Sequence, residues 1–253
     1  MNDLEVYFKN NNRRLIHKYL HYFDVYDRHF SRFRGQEITI LEIGVSQGGS
    51  LQMWRNYFGP RAKIYAIDID PRCKSMEEEN IQIFIGSQSD RNFLREIVKT
   101  IPEVDILIDD GGHTMKQQII SFEELFGHIK QNGVYLCEDC HTSYWWDYGG
   151  GYKRRGSYIE YTKNWIDHIN AFHSKSNRLK VNDFTLNVKS LHYYDSIVVV
   201  EKSKISAPVN SMTGNRSFEN IPPALTGSEA FKRRIKWTLK KIARFLNLPD
   251  RFD

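Results

Sequence analysis

From Glu37 to Asp139 short apolar runs alternate with amphipathic ones, and this alternation restricts the possible folds more than any other feature of the chain. "EITILEIG", "AKIYAIDID", "IQIFIGS", "VDILIDD" and "GVYLCED" read as strands. Between them, "SLQMWRNYF", "DRNFLREIVKTI" and "MKQQIISFEELFGHI" carry helical spacing. Such strand-helix-strand units close into a parallel sheet with helices on both faces. The predicted class is therefore α/β, a Rossmann-like doubly wound sheet. Further on, the helix "IEYTKNWIDHINAFH" precedes "DFTLNVKSLHYYDSIVVVEK", two strand-like runs close enough to pair. They predict an antiparallel edge on a mostly parallel sheet.

This core occupies residues 36–202, and 253 residues suit one large domain with additions better than two independent ones. Residues 1–35 hold "LEVYF" and "LIHKYLHYFDVYDRHF", whose apolar spacing predicts N-terminal amphipathic helices. These are expected to pack on the main domain or on a partner subunit, and a homodimer is the expected assembly. Residues 203–228, with prolines, serines and asparagines, read as a linker or irregular cover. Residues 229–253 read as a basic amphipathic C-terminal helix, with Phe231, Ile235, Leu239, Ile242 and Phe245 at helical spacing among lysines and arginines. Its partner is the protein's own core, another subunit or, as a peripheral contact, an anionic membrane surface.

Thirty-six Lys and Arg against 31 Asp and Glu give a net charge of +5, much of the excess lying in that last helix. No basic stripe interleaved with aromatics crosses the core, so nucleic acid is not an expected partner. The N-terminus has no uninterrupted apolar run of the signal-peptide kind, and no 18 consecutive residues are apolar, so a cytoplasmic enzyme is the expectation. Three cysteines do not build a disulfide framework. Cys137 and Cys140 form a C-x-x-C, but it follows a strand, whereas a thioredoxin-like pair belongs at a helix N-terminus.

The stretch "ILEIGVSQGGSLQMW" is a strand, a glycine turn and a helix start. Gly44, Gly48 and Gly49 permit close backbone approach, while Ser46 and Ser50 offer hydroxyls to a ligand or to the helix end. The G-x-G-x-x-G dinucleotide pattern is absent, which disfavours a nicotinamide oxidoreductase. Asp68 ends the second strand, where Rossmann-like sites place a carboxylate toward ribose hydroxyls. Here the chain resembles class I S-adenosylmethionine-dependent methyltransferases, whose first motif reads acid-x-Gly-x-x-x-Gly and is matched by Glu42, Gly44 and Gly48. The resemblance implies S-adenosylmethionine over the glycine loop, its ribose on Asp68 and its adenine near Ser87 and Gln88. Asp109 is assigned to the same cofactor side.

Asp109 and Asp110 end one parallel strand and Glu138 and Asp139 the next, so right-handed connections bring all four carboxylates to the sheet edge that carries the glycine loop. Their own segments hold no lysine or arginine to balance them. A hard divalent cation, Mg²⁺ or Mn²⁺, is the economical counter-charge for oxygen ligands. Strand alternation sends Asp109 and Asp110 to opposite sides, so the two do not share one role.

"DGGH" followed by "ED" after the next strand is similar to the metal-dependent sugar O-methyltransferases that modify macrolide deoxysugars and rhamnosyl groups. The chain also resembles mycobacterial methyltransferases of methylmannose oligosaccharides, through "IHKYLHYFDVYDRHF", "DDGGHTM", "EDCHTSYW" and "GGGY", across roughly residues 1 to 200. The resemblance implies Asp110, Glu138 and Asp139 as metal ligands, His113 as the base, and a sugar or oligosaccharide hydroxyl as acceptor, with a deoxysugar on a secondary metabolite as the alternative. His141 is the rival base. Around Gly149, Gly150 and Gly151, the aromatic residues Tyr144, Trp145, Trp146 and Tyr152 are suited to the apolar faces of a saccharide.

Overall fold

The five apolar runs of the N-terminal two thirds form parallel strands: β1 (Thr39–Ile43), β2 (Lys63–Asp68), β3 (Ile81–Ile85), β4 (Val104–Asp109) and β5 (Ile129–Cys137). A computed structural model supplies the coordinates and describes residues 1–217 and 226–246. The sheet is completed by β6 (Val188–Tyr194) and β7 (Ile197–Lys202), in the order β3-β2-β1-β4-β5-β7-β6. β7 pairs antiparallel with both β5 and β6, so a hairpin closes this edge, as the sequence predicts.

Because both faces of the sheet are covered, its strands are apolar on both sides. Ile40, Ile106 and Ile108 face one layer with helices α1 (Asp3–Lys9), α2 (Tyr22–Phe30) and α3 (Gly49–Phe58). Leu41, Leu107 and Tyr135 face the other, built from α4 (Arg91–Thr100), α5 (Met115–Leu125) and α6 (Tyr158–Ile169). The N-terminal helices belong to this core. Tyr22, Phe23, Tyr26 and Phe30 of α2 are buried, and Tyr26 meets Trp54 of α3 edge to face with ring centroids 5.1 Å apart. Each such side chain contributes roughly 1.5–3 kcal/mol by leaving water.

Two expected elements differ. The stretch from Leu15 to Leu20 is not helical; α2 begins only at Tyr22. Leu15, Tyr19 and Leu20 are exposed, so this stretch lacks the buried stripe that stabilises a short helix. "DFTLN" is likewise no strand but a short helix, α7 (Asp183–Asn187), whose Asn182 and Thr185 cap each other reciprocally.

The contacts of Met1–Pro208 form one compact unit, with Val209–Asp253 a second. In the latter, α8 (Gly227–Phe245) falls where a basic amphipathic helix is expected, and Phe231, Ile235, Leu239 and Ile242 are exposed. Residues 247–253 of the expected helix, and 218–225 of the expected linker, lie outside the described residues. Among the described residues no helix is long and apolar enough to cross a membrane.

Candidate active site

The carboxyl ends of β1, β2, β4 and β5 share one edge of the sheet, and the loops that leave them lie side by side. Gly44 leaves β1 at φ +97°, and a Cβ there would fall 2.0 Å from the backbone oxygen of Asp110. Only glycine lets these two loops touch. Asp68, at the end of β2, accepts the backbone N–H groups of Val45 (2.8 Å) and Ser46 (3.0 Å) through Oδ2 and that of Asp70 (2.9 Å) through Oδ1. It thereby fixes the turn after β1.

A cavity of about 200 Å³ opens above this turn, lined among others by Gly44, Ser46, Asp68, Ser87 and Gly112. A second, of about 250 Å³, shares Gly44, Ser46, Asp110 and Gly111 with it and adds Lys18, Ser50, His113 and Asp139. The two adjoin along the sheet edge.

Several residues expected at a cofactor lie beneath the cavities instead. Glu42 is fully buried and accepts from Ser50 Oγ and Trp54 Nε1, both at 3.1 Å. It anchors the first turn of α3, and burial lifts its carboxyl to about 7 against the pull of Lys18 and Trp54. Asp109 is buried too, and burial raises it to about 7. Its Oδ1 accepts from Gln88 Nε2 (3.0 Å), and its Oδ2 from the Tyr135 hydroxyl (3.3 Å). The Gln88 amide is engaged on both sides, since its Oε1 accepts from the Gly112 N–H at 2.6 Å. Gln88 therefore borders the first cavity with its side chain turned into the protein. Gly48, not a serine, caps α3, in a left-handed conformation and with no side-chain bond.

Asp110, His113 and Asp139 converge. Each offers a ligand atom, and these atoms lie within 4.8 Å of one another. His113 Nε2 is 3.4 Å from Asp139 Oδ2 and 3.9 Å from Asp110 Oδ1. Ser46, His113 and Asp139 all hold left-handed backbones, at φ 50°, 56° and 52°. Strained conformations of this kind persist where the surroundings over-determine them. The Thr142 hydroxyl faces the carbonyl oxygens of His113 (2.8 Å) and Asp139 (2.9 Å) and joins the two loops. The turn "DGGHTM" then ends in a reciprocal cap, in which Thr114 and Gln117 open α5.

The absence of a neighbouring cation, expected from the local sequence, is corrected by the fold. Lys18 arrives from the irregular N-terminal stretch and donates to Asp110 Oδ2 and, at 2.7 Å, to Glu138 Oε2. Tyr22 donates to Asp139 Oδ1 at 2.6 Å. Burial pushes Glu138 up to about 8, with Asp110 adding to the shift and Lys18 opposing it. For Lys18, burial alone would lower the ammonium, but Asp110, Glu138 and Glu42 outweigh it and hold it above its ordinary range. Among the described residues, Glu138 Oε1 and His113 Nδ1 are buried with no hydrogen-bond partner in good geometry, although the Tyr26 hydroxyl, itself unpaired, lies beside Glu138. Unpartnered buried polar atoms around converging carboxylates fit a hard cation with oxygen ligands.

His141 is held differently. Its Nδ1 faces Ser196 Oγ and lies 4.0 Å from Asp139 Oδ1, and its ring packs against Trp145 at 4.5 Å. Tyr144, Trp145, Trp146 and Tyr152 are exposed, and the backbone N–H groups of Gly150 and Gly151 fold the glycine triplet back onto Trp145 and Ser143. A second cluster with metal-ligand atoms, His29, His192 and Glu201, is internally bonded: His29 pairs with Glu201 at 2.8 Å and with the Tyr194 hydroxyl at 2.9 Å. Cys137 and Cys140 are buried free thiols.

No family model matches the chain. It is 34% identical over 221 residues to the mycinamicin VI 2''-O-methyltransferase of Micromonospora griseorubida, covering 83% of this chain and 55% of that one. It is also 34% identical over 193 residues to the 8-demethyl-8-alpha-L-rhamnosyl tetracenomycin-C 2'-O-methyltransferase of Streptomyces olivaceus, covering 72% of this chain and 50% of that one. The solved MycE methyltransferase of the mycinamycin pathway, in complex with Mg, SAH and mycinamycin VI, superposes with a TM-score of 0.70 at 32% identity over 80% of this chain and 53% of its own. The chain spans about half the length of the curated relatives it matches. Fold and relatives together place the chain in the family of class I S-adenosylmethionine-dependent methyltransferases. Within that class the chain belongs with the sugar O-methyltransferases.

Proposed function

We propose that the protein transfers a methyl group from S-adenosylmethionine to a hydroxyl of a sugar in a glycoside or oligosaccharide, with Mg²⁺ or Mn²⁺ as cofactor. The observation that carries this reading is the convergence of Asp110, His113 and Asp139 at a cavity that shares Gly44 and Ser46 with the one beside Asp68. Asp110 and Asp139, with Glu138 behind them, are the residues to hold the cation. When bound, the sulfonium supplies the electrophilic methyl group and the cation the Lewis acidity that lowers the pKa of a sugar hydroxyl.

The chain's own residues do the rest. Asp68 and the turn after β1 receive the ribose and methionine parts of the donor, while Glu42 and Asp109 brace the loops from below. His113 takes the acceptor proton at Nε2, and the Asp139 carboxylate 3.4 Å away stabilises the imidazolium so formed. His141 is a supporting residue, committed to Ser196 and Trp145. Trp145, Trp146, Tyr144 and Tyr152 offer flat faces to the saccharide.

Incubation with methyl-labelled S-adenosylmethionine and Mg²⁺, against deoxysugar glycosides and mannose oligosaccharides in parallel, tests the proposal. Label in a sugar methyl ether supports it. Label in none of these acceptors, in a protein that binds the donor, opposes the sugar reading. Binding of NAD in place of S-adenosylmethionine opposes the donor.

A further inference from the structure

Lys18 is the one cation that touches the carboxylates of the site among the described residues, and it comes from far along the chain, 92 residues before Asp110 and 120 before Glu138. Its side chain is only 3% exposed. The stretch that delivers it is tied down on both sides. Arg14 donates to the Met76 carbonyl at 2.9 Å, and the backbone of Arg14 and Leu15 lies so close to α3 that a Cβ on Gly49 would fall 2.3 Å from the Leu15 oxygen. Beyond Lys18, Tyr22 is bonded to Asp139. An irregular segment held this firmly presents its ammonium deliberately to two acids.

The charges do not balance. Even with Glu138 raised by its burial, Asp110 and Asp139 bring two carboxylates against one ammonium, so the cluster still attracts cations. Yet two of its oxygen atoms, Asp110 Oδ2 and Glu138 Oε2, already receive Nζ. Asp110 Oδ1 and Asp139 Oδ2 turn toward His113, and Glu138 Oε1, beside the Tyr26 hydroxyl, has no partner in good geometry among the described residues. An incoming divalent ion would find its oxygen ligands shared with a positive charge in hydrogen-bond contact, and repulsion over such distances in a dry site is large.

From this geometry we infer that Lys18 is a resident counter-ion that a divalent cation must displace from Asp110 and Glu138, so that metal affinity is set by the N-terminal stretch. The inference rests on the metal reading above. Without metal, the ammonium keeps the acids apart and in place. With metal, Lys18 and its neighbours release their hold. Leu15, Ile16 and His17 wall the same cavity, and His17 and Tyr19 wall a further one of about 130 Å³ beside Glu138. Metal loading is therefore transmitted to the walls where the acceptor would lie.

Mn²⁺ binding, followed by electron paramagnetic resonance of the free ion without methyl donor, tests this on wild type, Lys18→Met and Lys18→Arg. Methionine keeps the stem and removes the charge, and the expected result is an affinity higher by roughly tenfold or more. Lys18→Arg should stay near wild type. Hydrogen exchange in wild-type protein gives a second reading, since saturating Mn²⁺ should speed exchange at residues 15–20. A folded Lys18→Met protein with unchanged or weaker Mn²⁺ affinity overturns the inference. If that variant does not fold, unchanged or slower exchange at residues 15–20 in the metal-saturated wild type overturns it. Mn²⁺ uptake by none of the three proteins removes the metal reading itself, whereas uptake by wild type without a gain in Lys18→Met removes only the role of Lys18.

Discussion

His113 Nε2 stands 3.4 Å from Asp139 Oδ2, although the two residues leave different strands and both hold left-handed backbones. A carboxylate at that distance stabilises the ring once it has taken up the acceptor proton. Replacing His113 by Asn should lower kcat by roughly 10²–10⁴-fold while S-adenosylmethionine affinity is retained. Replacing His141 by Ala should cost roughly tenfold or less, because its ring acts through Ser196 and Trp145. Turnover and donor titration on the two variants check the assignment, which a larger loss from His141→Ala would reverse.

Asp68 couples the turn after β1 to the cavity through bonds to the N–H groups of Val45 and Ser46. In Asp68→Ala those bonds vanish, and with them the carboxylate proposed to receive the ribose. S-adenosylmethionine or its demethylated product should bind more weakly by about 1.5–3 kcal/mol, read by calorimetry. Equal affinity would place the donor elsewhere.

Gly44→Ala meets the Asp110 carbonyl and an unfavourable φ at once. It should destabilise the fold by about 2–4 kcal/mol, from the strained backbone together with overpacking. Gly35, also left-handed at φ +69° but facing open space, is the control. Gly35→Ala should lose only the conformational part, about 1 kcal/mol, in urea unfolding. Similar losses in both would mean that the contact between the β1 and β4 loops is unimportant.

Buried Asp109 gives the fold a pH dependence of known sign. Burial raises its carboxyl from 3.8 to about 7, so the folded protein binds a proton that the unfolded chain releases. Its contribution to stability is full below the unfolded value and is lost as pH rises through the folded one. Asp109→Asn should therefore flatten the decline in unfolding free energy between about pH 4 and 7, by at most roughly 4 kcal/mol. It should leave donor affinity almost unchanged, because Asp109 lies under the cavity. A steeper decline in the variant would contradict the burial argument.

Much of this architecture is legible in the residues because both faces of the sheet are covered, so each parallel strand appears as a short apolar run. The same logic brings the acids after β4 and β5 to one edge, while the choice of Asp110 and the role of His113 come from the resemblance to sugar O-methyltransferases. Parity along β4 separates Asp109 from Asp110, but only the packing of Gln88 and Tyr135 decides that Asp109 is the inward one. Lys18 was hidden. A lysine on an irregular stretch carries no periodic signal, and its two partners lie about a hundred residues away, where only the docking of α1 and α2 brings them together. The same docking explains why "LIHKYL" does not continue α2: its leucines stay exposed, while its backbone lies against α3.

In the proposed function these carboxylates work through a divalent cation in methyl transfer to a sugar hydroxyl. The most direct measurement is labelled methyl transfer to an accepted glycoside, before and after EDTA and again after Mg²⁺ is restored, with donor binding followed in each state. Turnover should be abolished by chelation and recovered with Mg²⁺, with S-adenosylmethionine bound throughout. Undiminished turnover in EDTA would contradict it.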